Sequence, residues 1–223
     1  MSIASNLEKI IKEIHSGIKL VAVSKTNTTE KIMEAYNAGQ RIFGESKVQE
    51  LLPKFQQLPK DIEWHFIGHL QTNKIKYITP FISLIHSIDS LQLLEEVNKQ
   101  AIKSNNTINC LLQVHIAEEE TKFGFDEMEI MQIIESDVLK KMKNINIRGL
   151  MGMATLTENE TQIRKEFRNL RELFYKLKTK SKFDEKMFTE ISMGMSSDYK
   201  IAIEEGSNLI RVGSKIFGER SYS

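Results

Sequence analysis

Short apolar runs alternate along this chain with longer segments whose apolar side chains recur at helical spacing. Residues 2–15 place Leu7, Ile10, Ile11 and Ile14 on one helical face. Lys19-Leu20-Val21-Ala22-Val23 then reads as a strand, continuously apolar as in a strand covered on both faces. A helix from Thr29 to Ala38 stops at Gly39. Further strands are predicted at 41–44, 63–67, 82–86, 109–114, 147–151, 187–191 and 208–212. Helices at 46–57, 71–77, 91–103, 126–134, 161–178 and 198–204 separate them.

Eight strands alternating with helices fit two architectures. A doubly wound open sheet usually carries fewer strands and a glycine-rich loop after the first. Here the first strand ends in Val23-Ser24-Lys25-Thr26, without glycine. The expected fold is therefore α/β, a single (β/α)8 TIM-type barrel with an extra N-terminal helix, at the short end for that fold. Pro53, Pro59 and Pro80 are too scattered to mark a linker, so residues 1–223 read as one domain.

Composition narrows the function. With 40% hydrophobic and 27% charged residues the chain is an ordinary soluble protein. Lys+Arg total 31 against 30 Asp+Glu, a net charge of +1, which gives no reason to expect nucleic acid or an anionic membrane as partner. No window approaches the ~18 apolar residues of a membrane helix. Glu8, Lys9, Lys12 and Glu13 break up any signal-peptide core. The single Cys110 excludes an intramolecular disulfide and leaves a cysteine zinc site unsupported. A monomer in a reducing cytoplasm is expected.

In a parallel barrel the chemistry lies at the C-terminal ends of the strands. Those ends carry Lys25, Gly44-Glu45, Gly68-His69, His86-Ser87, His115, Gly152, Ser192-Met193-Gly194 and Gly213-Ser214. Lys25 either packs its stem and reaches water, or serves as a desolvated amine able to form a Schiff base with an aldehyde. Ser192-Met193-Gly194-Met195-Ser196-Ser197-Asp198 and Gly213-Ser214 stand after strands seven and eight, where this fold places its phosphate cradle. Free N–H groups and a helix start at Ser196-Ser197 favour a dianion there. The alternative is simple capping by those serines. Arg211, inside an apolar run, needs a partner. Glu45 in an ion pair and the ring nitrogen of a bound cofactor are the two readings. Amine, cradle and ring-nitrogen donor together describe a site for pyridoxal 5′-phosphate (PLP).

These segments carry a resemblance. Ala22-Val23-Ser24-Lys25-Thr26, Phe43-Gly44-Glu45, the run Trp64 to Lys74, Arg148-Gly149-Leu150-Met151, Ser192-Met193-Gly194-Met195-Ser196 and the run Ile210 to Gly218 occur in order along nearly the whole chain. The sequence resembles the pyridoxal phosphate homeostasis protein family. The resemblance implies a barrel like the N-terminal domain of alanine racemases. It implies a Schiff base at Lys25, a phosphate site using Ser192, Gly213 and Ser214, and Arg211 at the pyridine nitrogen. Ser46 and Met193, within or beside the shared motifs, complete the expected cofactor-binding set. The implied role is control of free PLP and amino-acid balance without an established reaction, with PLP-dependent apo-enzymes as expected partners. Two positions depart from the family pattern. Ser46-Lys47 replace the usual Asn-Tyr after Phe-Gly-Glu, and His115 stands where an asparagine is usual. Lys122 matches a recurrent family lysine.

Other readings carry less. His65 and His69 are four apart, a spacing that faces one way only on a helix, whereas Trp64 to Ile67 reads as strand. Lys140-Lys141-Met142-Lys143 is too short for a nucleic-acid patch, and the methionines are assigned to the core. Against the homeostasis reading stand a PLP-dependent racemase or decarboxylase and a Schiff-base aldolase. An aldolase lysine commonly lies on a later strand, and strand six ends Leu150-Met151-Gly152-Met153 without one. A racemase needs a second acid/base group opposite Lys25. Alanine racemases take theirs from a further domain, for which a chain ending at Ser223 is expected to have no room, and Tyr222 is a poor substitute.

Overall fold

A computed structural model of the chain describes residues 2–118, 123–180 and 186–219. Lys122 and Tyr222 lie outside them. The order is α1 (Ile3–Glu13), β1 (Lys19–Val23), α2 (Thr29–Asn37), β2 (Ile42–Glu45), α3 (Val48–Gln57), β3 (Glu63–Phe66), α4 (Ile75–Ile78), β4 (Leu84–Ile88), α5 (Leu91–Lys103), β5 (Ile108–Val114), α6 (Glu127–Glu135), α7 (Val138–Lys141), β6 (Ile145–Gly152), α8 (Glu160–Lys180), β7 (Glu190–Ser192), α9 (Tyr199–Glu204), β8 (Leu209–Val212) and α10 (Ser214–Phe217). The eight strands close in sequence order into a parallel barrel, β8 pairing back onto β1 with Val21 beside Arg211. The expected TIM-type barrel with its extra helix α1 is the observed fold. Among the described residues no helix is long and apolar enough to cross a membrane.

The two-residue period of a strand divides the core in two. Ala22, Phe43, Trp64, Phe66, Ile85, Leu112, Leu150, Ile191, Ile210 and Val212 face outward into the large core beneath the helices. Val21, Leu84, Leu111, Met151 and Leu209 form a separate small cluster inside the barrel. Because both faces are apolar, the strands read as continuous apolar runs. The inner face also takes up His65, His86, Ser192 and Arg211, all buried.

Two strands begin two or three residues later than the sequence expectation. Strand β4 begins at Leu84 rather than Ile82, because the N–H groups of Phe81 and Ile82 turn back onto the carbonyl of Ile78 and close α4. Strand β7 begins at Glu190 rather than Met187. Phe188 leaves the sheet line to stack on Phe174 of α8, ring centroids 4.7 Å apart. The short helices α7 and α10 were not foreseen.

Helix α1 buries Ile3, Leu7 and Ile10. It also reaches the barrel's mouth elements. Asn6 Nδ2 donates to the Ile216 carbonyl of α10 at 3.1 Å. Glu13 accepts from the Tyr199 hydroxyl and pairs with Lys200 at 3.0 Å, both on α9.

Candidate functional site

At the C-terminal mouth of the barrel lies a cavity of about 660 Å³. Its lining is Val23, Lys25, Ile67, Met153, Met195, Ser196, Ser197, Arg211, Gly213, Ser214, Lys215 and Glu219.

Lys25 follows β1 directly, and the chain around it is tightly held. Thr26 adopts φ 64°, a left-handed conformation that costs a non-glycine residue roughly 1–2 kcal/mol. Its N–H is taken by Glu50 Oε2 at 2.9 Å, and Asn27 N–H returns to the Ser24 carbonyl at 3.0 Å. Behind Lys25, the buried Ser24 hydroxyl donates to Glu45 Oε1 at 2.6 Å. Lys54 of α3 bonds the same Glu45 oxygen at 2.7 Å and the Ser24 carbonyl at 3.0 Å. Burial raises the Glu45 carboxyl above its ordinary value, with Lys54 acting against it. This cluster fixes the strand end from the outer side of the sheet.

The opposite wall is built from the two loops after β7 and β8. Asp198 Oδ1 accepts from Met195 N at 2.6 Å, and Gly213 N donates to Ser196 Oγ at 3.1 Å, tying one loop to the other. Gly194 sits at φ +96°, and a Cβ there would come within 2.6 Å of Ala202. At Gly213 a Cβ would lie 3.3 Å from both Cβ and the carbonyl of Val23, so a side chain has little room. Among the described residues no acceptor takes the backbone N–H of Ser196, Ser197, Ser214 or Lys215. Four residues with such free donors line one cavity, a composition that suits an anion.

Arg211 forms the floor of this cavity. Its side chain turns inward from β8 and is 4% exposed. Nη1 donates to Ser192 Oγ at 2.6 Å and Nη2 to the Gly152 carbonyl at 3.2 Å. No carboxylate among the described residues pairs with it. Burial lowers its pKa to about 10, and Asp198 supports its charge from longer range. Arg211 is thus a buried cation that stays charged at neutral pH and is held by neutral acceptors alone.

The structure therefore brings Lys25, Arg211, Gly213 and Ser214 of the expected set to one cavity. It does not bring all of the set there. Ser192 is fully buried below the mouth, bonded to Arg211 and, at 2.9 Å, to His86 Nδ1. The Met193 side chain is buried in the outer core, leaving only its backbone toward the loops. Ser46 is absent from the lining; its backbone packs against Gly68 instead. Glu45 is occupied by Lys54 and Ser24 and does not meet Arg211, which removes the ion-pair reading of that arginine. His65 points into the barrel while His69 sits at the surface against Asp89, 3.0 Å away. Ile67, Met153 and Met195 were missed as lining residues. Nothing in their type marks them, although each follows a strand end closely.

The family model for the alanine racemase N-terminal domain matches residues 1–221. The pyridoxal phosphate homeostasis protein of Aquifex aeolicus is 41% identical over 92% of this chain and 88% of its own length. That of Vibrio alginolyticus is 36% identical over 100% of this chain and 99% of its own. Among solved structures, PipY of Synechococcus elongatus PCC7942 with PLP bound superposes with a TM-score of 0.88 at 34% identity, covering 97% of this chain and all of that one. Alanine racemase of Clostridium difficile 630 shares the fold, with a TM-score of 0.78 at 16% identity over 56% of its length. A barrel closed in this order, with a family model matching residues 1–221 and relatives aligned over 88% and 99% of their lengths, places the chain in the alanine racemase N-terminal domain family, alongside the pyridoxal phosphate homeostasis proteins.

Proposed function

We propose that this chain binds PLP in the mouth cavity and controls its free concentration. One observation carries the reading. A buried guanidinium with no carboxylate partner among the described residues, a lysine at a strand end and four residues whose backbone N–H groups have no acceptor among the described residues line the same cavity. The set fits the group: anion donors for a phosphate, an amine for an aldehyde and a cationic donor for a ring nitrogen. Bound there, PLP supplies an aldehyde that condenses reversibly with an amine, with loss of water.

In this reading Lys25 Nζ holds the aldehyde carbon. The N–H groups of Ser196, Ser197, Ser214 and Lys215, with the Ser214 hydroxyl, hold the phosphate. The phosphate then fixes the cofactor more than the ring does. Arg211 donates to the ring nitrogen and keeps its own proton, because even at about 10 its pKa stands well above neutrality. A ring so held is a weaker electron sink than one protonated by a carboxylate partner. The site thus favours reversible loading over turnover of amino acids. Delivery to PLP-dependent apo-enzymes, by a cytoplasmic monomer of one domain, is the role we assign.

Borohydride reduction of protein mixed with PLP, followed by peptide mapping, tests the site. The pyridoxyl group should appear at Lys25, and labelling mainly at Lys47 or Lys122 would refute the assignment. Lys25→Ala should lose the label yet retain weak PLP binding through the separate phosphate donors. Loaded protein should reactivate an apo-enzyme. Efficient racemisation or decarboxylation of an amino acid, abolished by Lys25→Ala, would replace this reading with an enzymatic one.

A further inference from the structure

We propose that Ser192, His86 and His65 form a one-way hydrogen-bond chain through the barrel that positions Arg211, with both histidines in the Nε2–H tautomer. The chain is continuous and buried. Arg211 Nη1 lies 2.6 Å from Ser192 Oγ, Ser192 Oγ 2.9 Å from His86 Nδ1, and His86 Nε2 2.9 Å from His65 Nδ1. Four strands supply it: β8, β7, β4 and β3. None of its members belongs to a helix or loop, so its geometry is as rigid as the sheet.

Its direction follows from donor chemistry. Arginine only donates, so Ser192 Oγ must accept from it. The Ser192 hydroxyl proton then needs an acceptor, and His86 Nδ1 is the remaining bonded neighbour. A buried hydroxyl left without one is unfavourable. Burial holds both imidazoles neutral: the pKa of His65 falls to about 3, and that of His86 is also well below its ordinary value, the Arg211 charge adding to the effect. A neutral His86 that accepts at Nδ1 carries its proton on Nε2 and donates to His65 Nδ1. His65 must then carry its proton on Nε2, which has no protein acceptor among the described residues. That ring lines a second cavity of about 420 Å³ at the opposite end of the barrel, beside Lys19, Glu63, Asn109 and Glu190.

The chain has a mechanical consequence for Arg211. With no carboxylate partner, the guanidinium is oriented by Ser192 and the Gly152 carbonyl. Ser192 is a stronger acceptor when its own proton is drawn to His86. His86 and His65 are therefore positioning residues, one and two side chains removed from the one that meets the cofactor. The inference rests on the reading of Arg211 as a cofactor contact, but the tautomers do not.

Long-range proton–nitrogen correlation spectra of cofactor-free protein labelled with 15N-histidine test the direction. Both buried rings should show a protonated Nε2 and a bare Nδ1. A protonated Nδ1 in either overturns the chain whatever the protein binds. The link to the site is tested by PLP dissociation rates. His86→Leu should release PLP up to about tenfold faster, the scale of one lost neutral hydrogen bond, the one Ser192 donates to His86. His86→Gln should restore the rate, since its Oε1 can accept from Ser192 while its Nε2 donates to His65. Ser192→Ala, the smallest change, should match His86→Leu in off-rate and keeps the test open if that variant does not fold. Equal off-rates for Ser192→Ala and wild type would overturn the positioning role. Equal rates for the leucine and glutamine variants would do the same.

Discussion

Lys54→Met should destabilise the protein by about 3–5 kcal/mol at neutral pH, the range for removing one partner of a buried ion pair. The structure says why the change belongs at that end. Glu45 is fully buried, and its Oε2 has no hydrogen-bond partner among the described residues. Oε1 is served by Lys54 and Ser24. Methionine would keep the volume of the lysine stem but leave the carboxylate with one hydroxyl donor. It would also remove one of the two donors to the Ser24 carbonyl, which keeps the Asn27 N–H. The deficit should depend on pH with a fixed sign. The Glu45 pKa is raised in the folded state, so its contribution is greatest below the unfolded value near 4.5 and is lost as pH climbs through the folded value. Without Lys54 the rise is larger. Urea unfolding should therefore show a smaller deficit at about pH 5 than at about pH 8. The double variant Glu45→Gln/Lys54→Met, which removes both charges, should recover most of the stability. A single variant as stable as the double one, or a deficit indifferent to pH, would refute the reasoning. Because Glu45 and Lys54 also brace Ser24, the single variant should loosen Lys25 and weaken PLP binding.

Two further outcomes are expected. Gly213→Val should reduce PLP affinity at least tenfold while leaving the weaker binding of pyridoxal nearly unchanged, because the new Cβ meets Val23 at 3.3 Å beside the phosphate donors; calorimetric titration with both aldehydes checks it, and equal losses would argue against a phosphate site there. The folded-state pKa values of His65 and His86 are depressed, so their contribution to stability is present above the unfolded value of 6.5 and is lost as pH falls toward about 3 for His65. Each should contribute a slope of about 1.4 kcal/mol per pH unit in that window, and His65→Gln/His86→Gln should flatten the acid limb of stability against pH measured by urea titration.

The barrel is legible because buried strands and amphipathic helices alternate without interruption. Lys25, Arg211, Gly213 and Ser214 are legible because barrel chemistry collects at strand ends. The polar chain inside the barrel is not, and the cause is local. Ile82 and Phe188 look like strand residues, yet one closes a helical turn and the other stacks on α8. Placing β4 and β7 two or three residues early moves His86 and Ser192 from the barrel interior to its mouth. Strand parity explains Met193: next to an inward Ser192, its side chain must face outward. The left-handed Thr26 beside Lys25 carries no glycine or asparagine signal and emerges only from the contacts that hold it.

The clasp of α1 on α9 and α10 sets the order in which the protein can mature. Asn6 reaches Ile216 across 210 residues of chain, and β1 cannot complete its pairing until β8 has formed. Folds rich in contacts so distant in sequence fold slowly. During synthesis Lys25 emerges long before the loops that face it, and a chain stopped short of Gly213 has the lysine without the Ser214 and Lys215 donors. Such a chain would meet aldehydes with an amine but could not retain a phosphorylated one. With PLP held as proposed, loading would be deferred until both ends of the polypeptide have met, and retention of PLP would become a readout of completed folding.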